Sequence, residues 1–230
     1  MDIIGPIEPK ASNGHRFILV VVDYFTKWVE VMSYAHVTRK VVVNFFRKNI
    51  IYRYGILDKI IMDNGSNLNN KMMTELCDSF KIQHHKSSPY RPKINGAVEV
   101  AKKNIKKIFQ KMVVTYKDWH EMLAFALHGY RTSIRTSTGA TPFSLVYGME
   151  AVLLFEVEIP SLRLLMEAKL LEAEWVRTRF DQLNLIEEKR LGSICHGQTY
   201  QRRIKRAFDK KVQPRPLEEG DLVLRKLLPA

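Results

Sequence analysis

Asp63 and Glu99 are the residues of this 230-residue chain whose types and spacing suit chemistry. Asp63 follows the apolar run Ile60-Ile61-Met62 and opens the turn sequence Asp63-Asn64-Gly65, and Glu99 comes three residues after Gly96, with 35 residues between the two acids. Each has a plainer account taken alone. Asp-Asn-Gly is good turn chemistry, and a glutamate in a first helical turn is favoured by the helix macrodipole. Together they suggest more, because a carboxylate at a strand end and another at a helix start can converge on one cation.

The elements that must position them can be read in order. Met1–Ile7 reads as a strand broken by Gly5-Pro6. Phe17–Val22 is a continuous apolar run, as expected of a strand buried on both faces. Thr26–Val31 alternates and reads as a third strand, completing an antiparallel meander. Thr38 is placed to cap a helix to about Tyr54, stopped by Gly55. Lys59–Met62 is a short strand that delivers Asp63; Asn69 is expected to cap a helix to Phe80, and Lys81–His85 to form a fifth strand. A polar loop with Pro89, Pro92 and Gly96 leads into a helix to about Tyr116, which carries Glu99, Lys103 and Lys106 at i, i+4 and i+7 on one face. Trp119–Tyr130 reads as a further helix, Thr141-Pro142 as a capped helix start, and residues 145–160 as irregular. A long helix over 161–191 is expected to pair with a second over 198–211, before Pro214 and Pro216.

Composition narrows the function classes. A net charge of +13 and a pI near 9.7 point to a polyanionic partner. The charge is uneven: residues 81–135 hold twelve Lys/Arg against three Asp/Glu, whereas 136–159 hold three acids and no Lys or Arg. Cys77 and Cys195 have no metal-ligand spacing, so no zinc site is expected in the chain. Neither a signal peptide nor an apolar run long enough to span a membrane is present, so a soluble intracellular protein is expected.

Strand meander, helix, strand, helix, strand and then helices is the element order of the ribonuclease H-like fold: α/β, with a mixed five-stranded sheet flanked by helices. In such a sheet the ends of the first and fourth strands lie side by side, which sets Asp2 next to Asp63, with Glu99 arriving on the opposing helix. Three carboxylates in one cleft repel one another and call for a hard divalent cation. Two Mg²⁺ or Mn²⁺ ions would suit phosphoryl chemistry there. Asp23, also at a strand end, is the rival first carboxylate, but its position on the second strand aims it away from Asp63.

At these residues the chain resembles a known family. Asp63-Asn64-Gly65-Ser66-Asn67, the 35-residue interval and Asn95-Gly96-Ala97-Val98-Glu99 resemble the D,D-35-E signature of retroviral and retrotransposon integrases. Met1–Pro6, Val22–Trp28, Ser88–Pro92, Tyr130-Arg131-Thr132 and Thr138–Phe143 extend the likeness to the integrase segment of plant Ty3/gypsy polyproteins. The resemblance implies a metal-binding catalytic triad of Asp2, Asp63 and Glu99. It also implies DNA contacts by Lys103, Lys106, Arg91 and Lys93, 3′-end processing and strand transfer on double-stranded DNA, a homo-oligomer on that DNA, and a nuclear location. No membrane partner and no small-molecule substrate are expected. The expected organisation is a catalytic core over 1–158, a helical extension over 159–212 and the start of a small β-barrel over 213–230.

Other residues have plainer readings. His84 and His85 point to opposite faces of a strand and read as surface residues. Trp28 and Trp119 read as core. Arg202-Arg203-Ile204-Lys205-Arg206 suits a localisation signal, a DNA-binding face or a solvated helix equally. The family's His/His/Cys/Cys zinc module and most of its barrel are not within the 230 residues. A remnant whose Asp2 frays at a cut end is therefore the alternative to an active enzyme. Two rival functions follow: a non-catalytic nucleic-acid-binding module, and a ribonuclease H-like nuclease that only hydrolyses.

Overall fold

The computed structural model describes residues 1–87, 96–112, 119–212 and 219–220. Strands β1 (Asp2–Ile4), β2 (Phe17–Val22) and β3 (Val29–Tyr34) form an antiparallel sheet in that order. The unbroken apolar run of β2 has a simple cause. Ile18, Val20 and Val22 belong to one core cluster with Val98, Ala101, Ile105 and Trp119, while Leu19 belongs to another with Val42, Phe45, Phe46 and Met73. A strand covered on both faces has no polar face to show.

The third strand begins at Val29 rather than Thr26. The Asp23 carboxylate accepts from the Thr26 amide at 2.8 Å and from the Thr26 hydroxyl, and Lys27 adopts a left-handed φ of 61°. A turn consumes those residues, which gives Asp23 a structural role as a turn former.

Helix α1 (Arg39–Phe45) is capped by the Thr38 hydroxyl, which accepts from the Val41 amide. The helix continues through the π-helical stretch Phe46–Ile51 into α2 (Tyr52–Tyr54) and stops at Gly55, where φ is 87°. Strands β4 (Lys59–Met62) and β5 (Gln83–Lys86) pair in parallel around the crossover helix α3 (Lys71–Ser79). Asn70, not Asn69, caps α3, because Asn69 is held in the preceding turn by the hydrogen bond its backbone N–H donates to the Gly65 carbonyl.

The expected five-stranded sheet divides here into a three-stranded sheet, β1-β2-β3, and a two-stranded one, β4-β5. A hydrogen bond of 2.7 Å from the Met1 nitrogen to the Ile61 carbonyl spans their facing edges. The brevity of β1 accounts for this limited pairing. Gly5 ends the strand at φ 134°, where a Cβ would come within 2.7 Å of the Arg16 carbonyl oxygen, and Pro6 follows without an N–H to donate.

Helices α4 (Gly96–Met112) and α5 (Trp119–Thr132) cover the second face of the three-stranded sheet. Helix α6 (Pro142–Tyr147) has Thr141 as its cap and Pro142 in its first turn. Beyond it the expectations need correction. Residues 145–160 are not all irregular, since α7 (Leu154–Glu158) forms there. The single helix over 161–191 is replaced by α8 (Leu162–Glu167), α9 (Glu172–Asn184) and the start of α10 (Ile186–Asp209). Glu174 starts α9 afresh by accepting from the Leu171 amide at 3.2 Å. Helix α10 runs through Gly192 and Gly197 without a break. Gly197 permits close approach, for a Cβ there would lie 3.2 Å from the Ser137 carbonyl oxygen. The extension is therefore fastened to the core. Lys189 donates to the Gly148 carbonyl at 2.7 Å, and Arg190 donates to that of Leu145 at 3.1 Å. No described helix is long and apolar enough to cross a membrane. The expected barrel start over 213–230 lies outside the described residues, apart from a turn at Glu219 and Gly220.

Candidate active site

Asp2 does not fray. It sits in β1 opposite Val20 and is only 6% exposed. Strand alternation explains its direction: Met1 and Ile3 pack in the cluster beneath α1 and α3, while Ile4 packs in the cluster beneath α4 and α5. Asp2 shares the parity of Ile4 and so meets α4. One carboxylate oxygen accepts from the Ile3 amide at 2.6 Å, and the other accepts from Lys102 Nζ at 2.7 Å.

Asp63 follows directly on the end of β4 and is exposed, with one oxygen accepting from the Asn64 amide at 2.8 Å. Its strand meets the β1 edge through the hydrogen bond from the Met1 nitrogen to the Ile61 carbonyl, and the Met1 amine feels the charges of both Asp2 and Asp63. Burial pushes that amine down to about 6, while the nearby charges of Asp2 and Asp63 oppose the drop and that of Lys102 adds to it. Glu99 is exposed in the first turn of α4, one turn before Lys102. The helix is fixed from below by buried Val98, Ala101 and Ile105.

These side chains offer hard oxygen donors of the kind Mg²⁺ and Mn²⁺ prefer. The donor chemistry fits a divalent ion. The arrangement seen here instead serves an ammonium, because Lys102 takes an Asp2 oxygen. Among the described residues no group of three or more His, Cys, Asp or Glu side chains is gathered around one metal position.

Lys103 and Lys106 are exposed on α4. Arg91 and Lys93 lie outside the described residues. His84 is half-buried and His85 exposed on β5. Arg202, Arg203, Lys205 and Arg206 are all exposed on α10.

Two features escape sequence reading. The first is Lys102: the i+4 and i+7 pattern from Glu99 selects Lys103 and Lys106, and only the packing of α4 on β1 reveals that the i+3 lysine reaches Asp2. The second is Glu30, also 6% exposed. Its carboxylate accepts from Trp28 Nε1 at 3.0 Å and from the Tyr54 hydroxyl, and pairs with Arg131 at 2.9 Å and Arg53 at 3.2 Å. Arg131 also lies 4.0 Å from the Trp28 ring centroid and donates twice to the Val29 carbonyl. Burial together with the hydrogen bond and charge of Glu30 pushes the Tyr54 hydroxyl up to about 12. The alternating pattern of β3 marks Glu30 as an ordinary polar position; partners from α2 and α5 make it a buried one.

Strands, crossover and covering helices together define an α/β protein. Residues 1–92 match the family model described as Integrase core domain. The Gag-Pol polyprotein of Avian reticuloendotheliosis virus is 31% identical over 141 residues, which is 61% of this chain and 12% of the polyprotein. The retrovirus-related Pol polyprotein from transposon 412 of Drosophila melanogaster is 26% identical over 149 residues, 64% of this chain and again 12% of the relative. The chain thus spans about an eighth of the length of these relatives. Among solved structures, a chain of the simian T-cell lymphotropic virus intasome in complex with PP2A regulatory subunit B56 gamma superposes with a TM-score of 0.50 at 22% identity, over 62% of this chain and 52% of that one. That likeness is one of fold alone.

Proposed function

We propose that this chain is the catalytic core of an integrase-type polynucleotidyl transferase that processes the 3′ ends of element DNA and joins them to target DNA. The observation that supports the reading is the Lys102–Asp2 contact, which sets the buried Asp2 of β1 against the helix that carries Glu99 one turn earlier. Asp2, Asp63 and Glu99 would hold two Mg²⁺ or Mn²⁺ ions, which when bound would activate the attacking water or 3′-hydroxyl and stabilise the leaving oxygen. The chain's own part is to keep these carboxylates on stiff elements, since β1 and α4 are anchored in the two cores. Lys103 and Lys106 would hold backbone phosphates and so set affinity rather than sequence choice, with Arg91 and Lys93 as further contacts. Homo-oligomeric assembly on DNA, a nuclear location and an origin in a plant Ty3/gypsy element complete the proposal.

A second reading is favoured by one observation. The Lys102–Asp2 pair gives Asp2 a cation of its own, as in a module that binds nucleic acid without cutting it. A short DNA duplex incubated with the full chain in Mg²⁺ or Mn²⁺ separates the two. Nicked and strand-transfer products that Asp63→Asn and Glu99→Gln both abolish are expected of the transferase. DNA binding with no cleavage in either metal would sink it in favour of the module. Hydrolysis with no strand-transfer product would mark a plain nuclease.

A further inference from the structure

We infer that Lys102 is a tethered counter-cation that competes with a divalent metal for Asp2. This inference rests on the carboxylates holding metal, as proposed above, and adds a residue that sets how tightly they do so.

The Lys102 ammonium lies 2.7 Å from one Asp2 oxygen, and the Ile3 amide occupies the other at 2.6 Å. Both oxygens of Asp2 are therefore engaged within the chain. The pair is sheltered as well: the Asp2 side chain is 8% exposed and that of Lys102 is 28% exposed. Attraction between the two charges is much less damped there than at an open surface.

The lysine is delivered by a rigid element. Ala101 beside it is fully buried against the sheet, and Val98 and Ile105 fix the same helix one turn to either side. Its side chain is nonetheless flexible, with a single charge at the end of a four-carbon stem. A divalent ion approaching Asp63 and Glu99 can take an Asp2 oxygen only if that ammonium swings away. The partly exposed path of Lys102 leaves it room to do so. Metal binding then exchanges one cation for another instead of filling a bare cluster of negative charge. This exchange predicts weakened affinity for the ion.

Lys103 provides the internal contrast. It is the next residue on the helix, carries the same charge and is exposed, so its removal changes the general field without freeing an Asp2 oxygen.

The test is Mn²⁺ titration of the full chain by calorimetry, with the Mn²⁺-induced rise in Tm as a second readout and no DNA present. Lys102→Met keeps most of the apolar stem and removes the charge. It should bind Mn²⁺ about tenfold more tightly or better, the equivalent of releasing one charge-assisted hydrogen bond, and show a larger Mn²⁺-induced rise in Tm. Lys102→Arg should keep the weak binding of the unsubstituted chain, and Lys103→Met should leave affinity close to it. Should Lys102→Met fail to fold, Lys102→Gln carries the same test. Unchanged or weaker Mn²⁺ binding on removal of the charge overturns the role of Lys102 and leaves the metal reading standing. No Mn²⁺ binding by any variant overturns both.

Discussion

Glu30 and Asp2 are two carboxylates on one sheet, each 6% exposed, held in opposite ways. Glu30 is saturated: two arginines, an indole and a phenol converge on it from the turn before β3, from α2 and from α5. Asp2 has a backbone amide from its own neighbour and one lysine on a flexible stem. The difference separates scaffold from site. A buried charge enclosed by several fixed partners ties elements together and has no oxygen to offer a ligand. A buried charge with a single displaceable partner can exchange it.

The contrast can be broken most severely at Glu30. Glu30→Gln should cost about 3–5 kcal/mol, because it leaves the Arg131 guanidinium buried without its counter-charge; urea unfolding measures the loss. Arg131→Met, which strips Glu30 of its closer arginine, should cost about 2–4 kcal/mol in the same experiment, the remaining Arg53 pair being half-exposed and weak. At the other carboxylate, Lys102→Met should cost only about 1–3 kcal/mol, the range for a buried acceptor that loses one charged donor. A loss at Lys102 as large as that at Glu30 would erase the distinction between scaffold and site.

Tyr54 sharpens the comparison through pH. Its folded-state pKa of about 12 lies above the ordinary value of 10.0, so between those values the folded chain holds a proton that the unfolded chain has released. Stability from this group is complete below about pH 10 and is lost as pH rises toward 12. Unfolding midpoints across that window should fall less steeply in Tyr54→Phe. Lys103→Met is the smallest perturbation. It should change stability by no more than about 0.5 kcal/mol, since the residue is exposed, while weakening binding to a DNA duplex and reducing its salt dependence.

Much of this molecule was legible from residue order alone, because local chemistry is written locally. The doubly buried β2, the Thr38 and Thr141 caps and the stop at Gly55 follow from side-chain types and their neighbours. The structure departs from these expectations where a competing hydrogen bond claims a residue first. The cap moved from Asn69 to Asn70 because a turn hydrogen bond had already claimed Asn69. The helices beyond residue 160 were redrawn by Glu174 and by the close approach that Gly197 allows.

The same division runs through the site. Sequence by itself determined which acids to watch, since Asp63 ends an apolar strand and Glu99 opens an amphipathic helix. It also determined the basic helix that follows them. Only the tertiary structure decided that Asp2 is seated rather than frayed, that the facing sheet edges share the Met1–Ile61 hydrogen bond, and that Lys102 rather than Lys103 reaches the carboxylate. The reason is geometric. Residue type and period fix the face a side chain occupies, but which charge it meets depends on the packing of α4 against β1, about a hundred residues away along the chain.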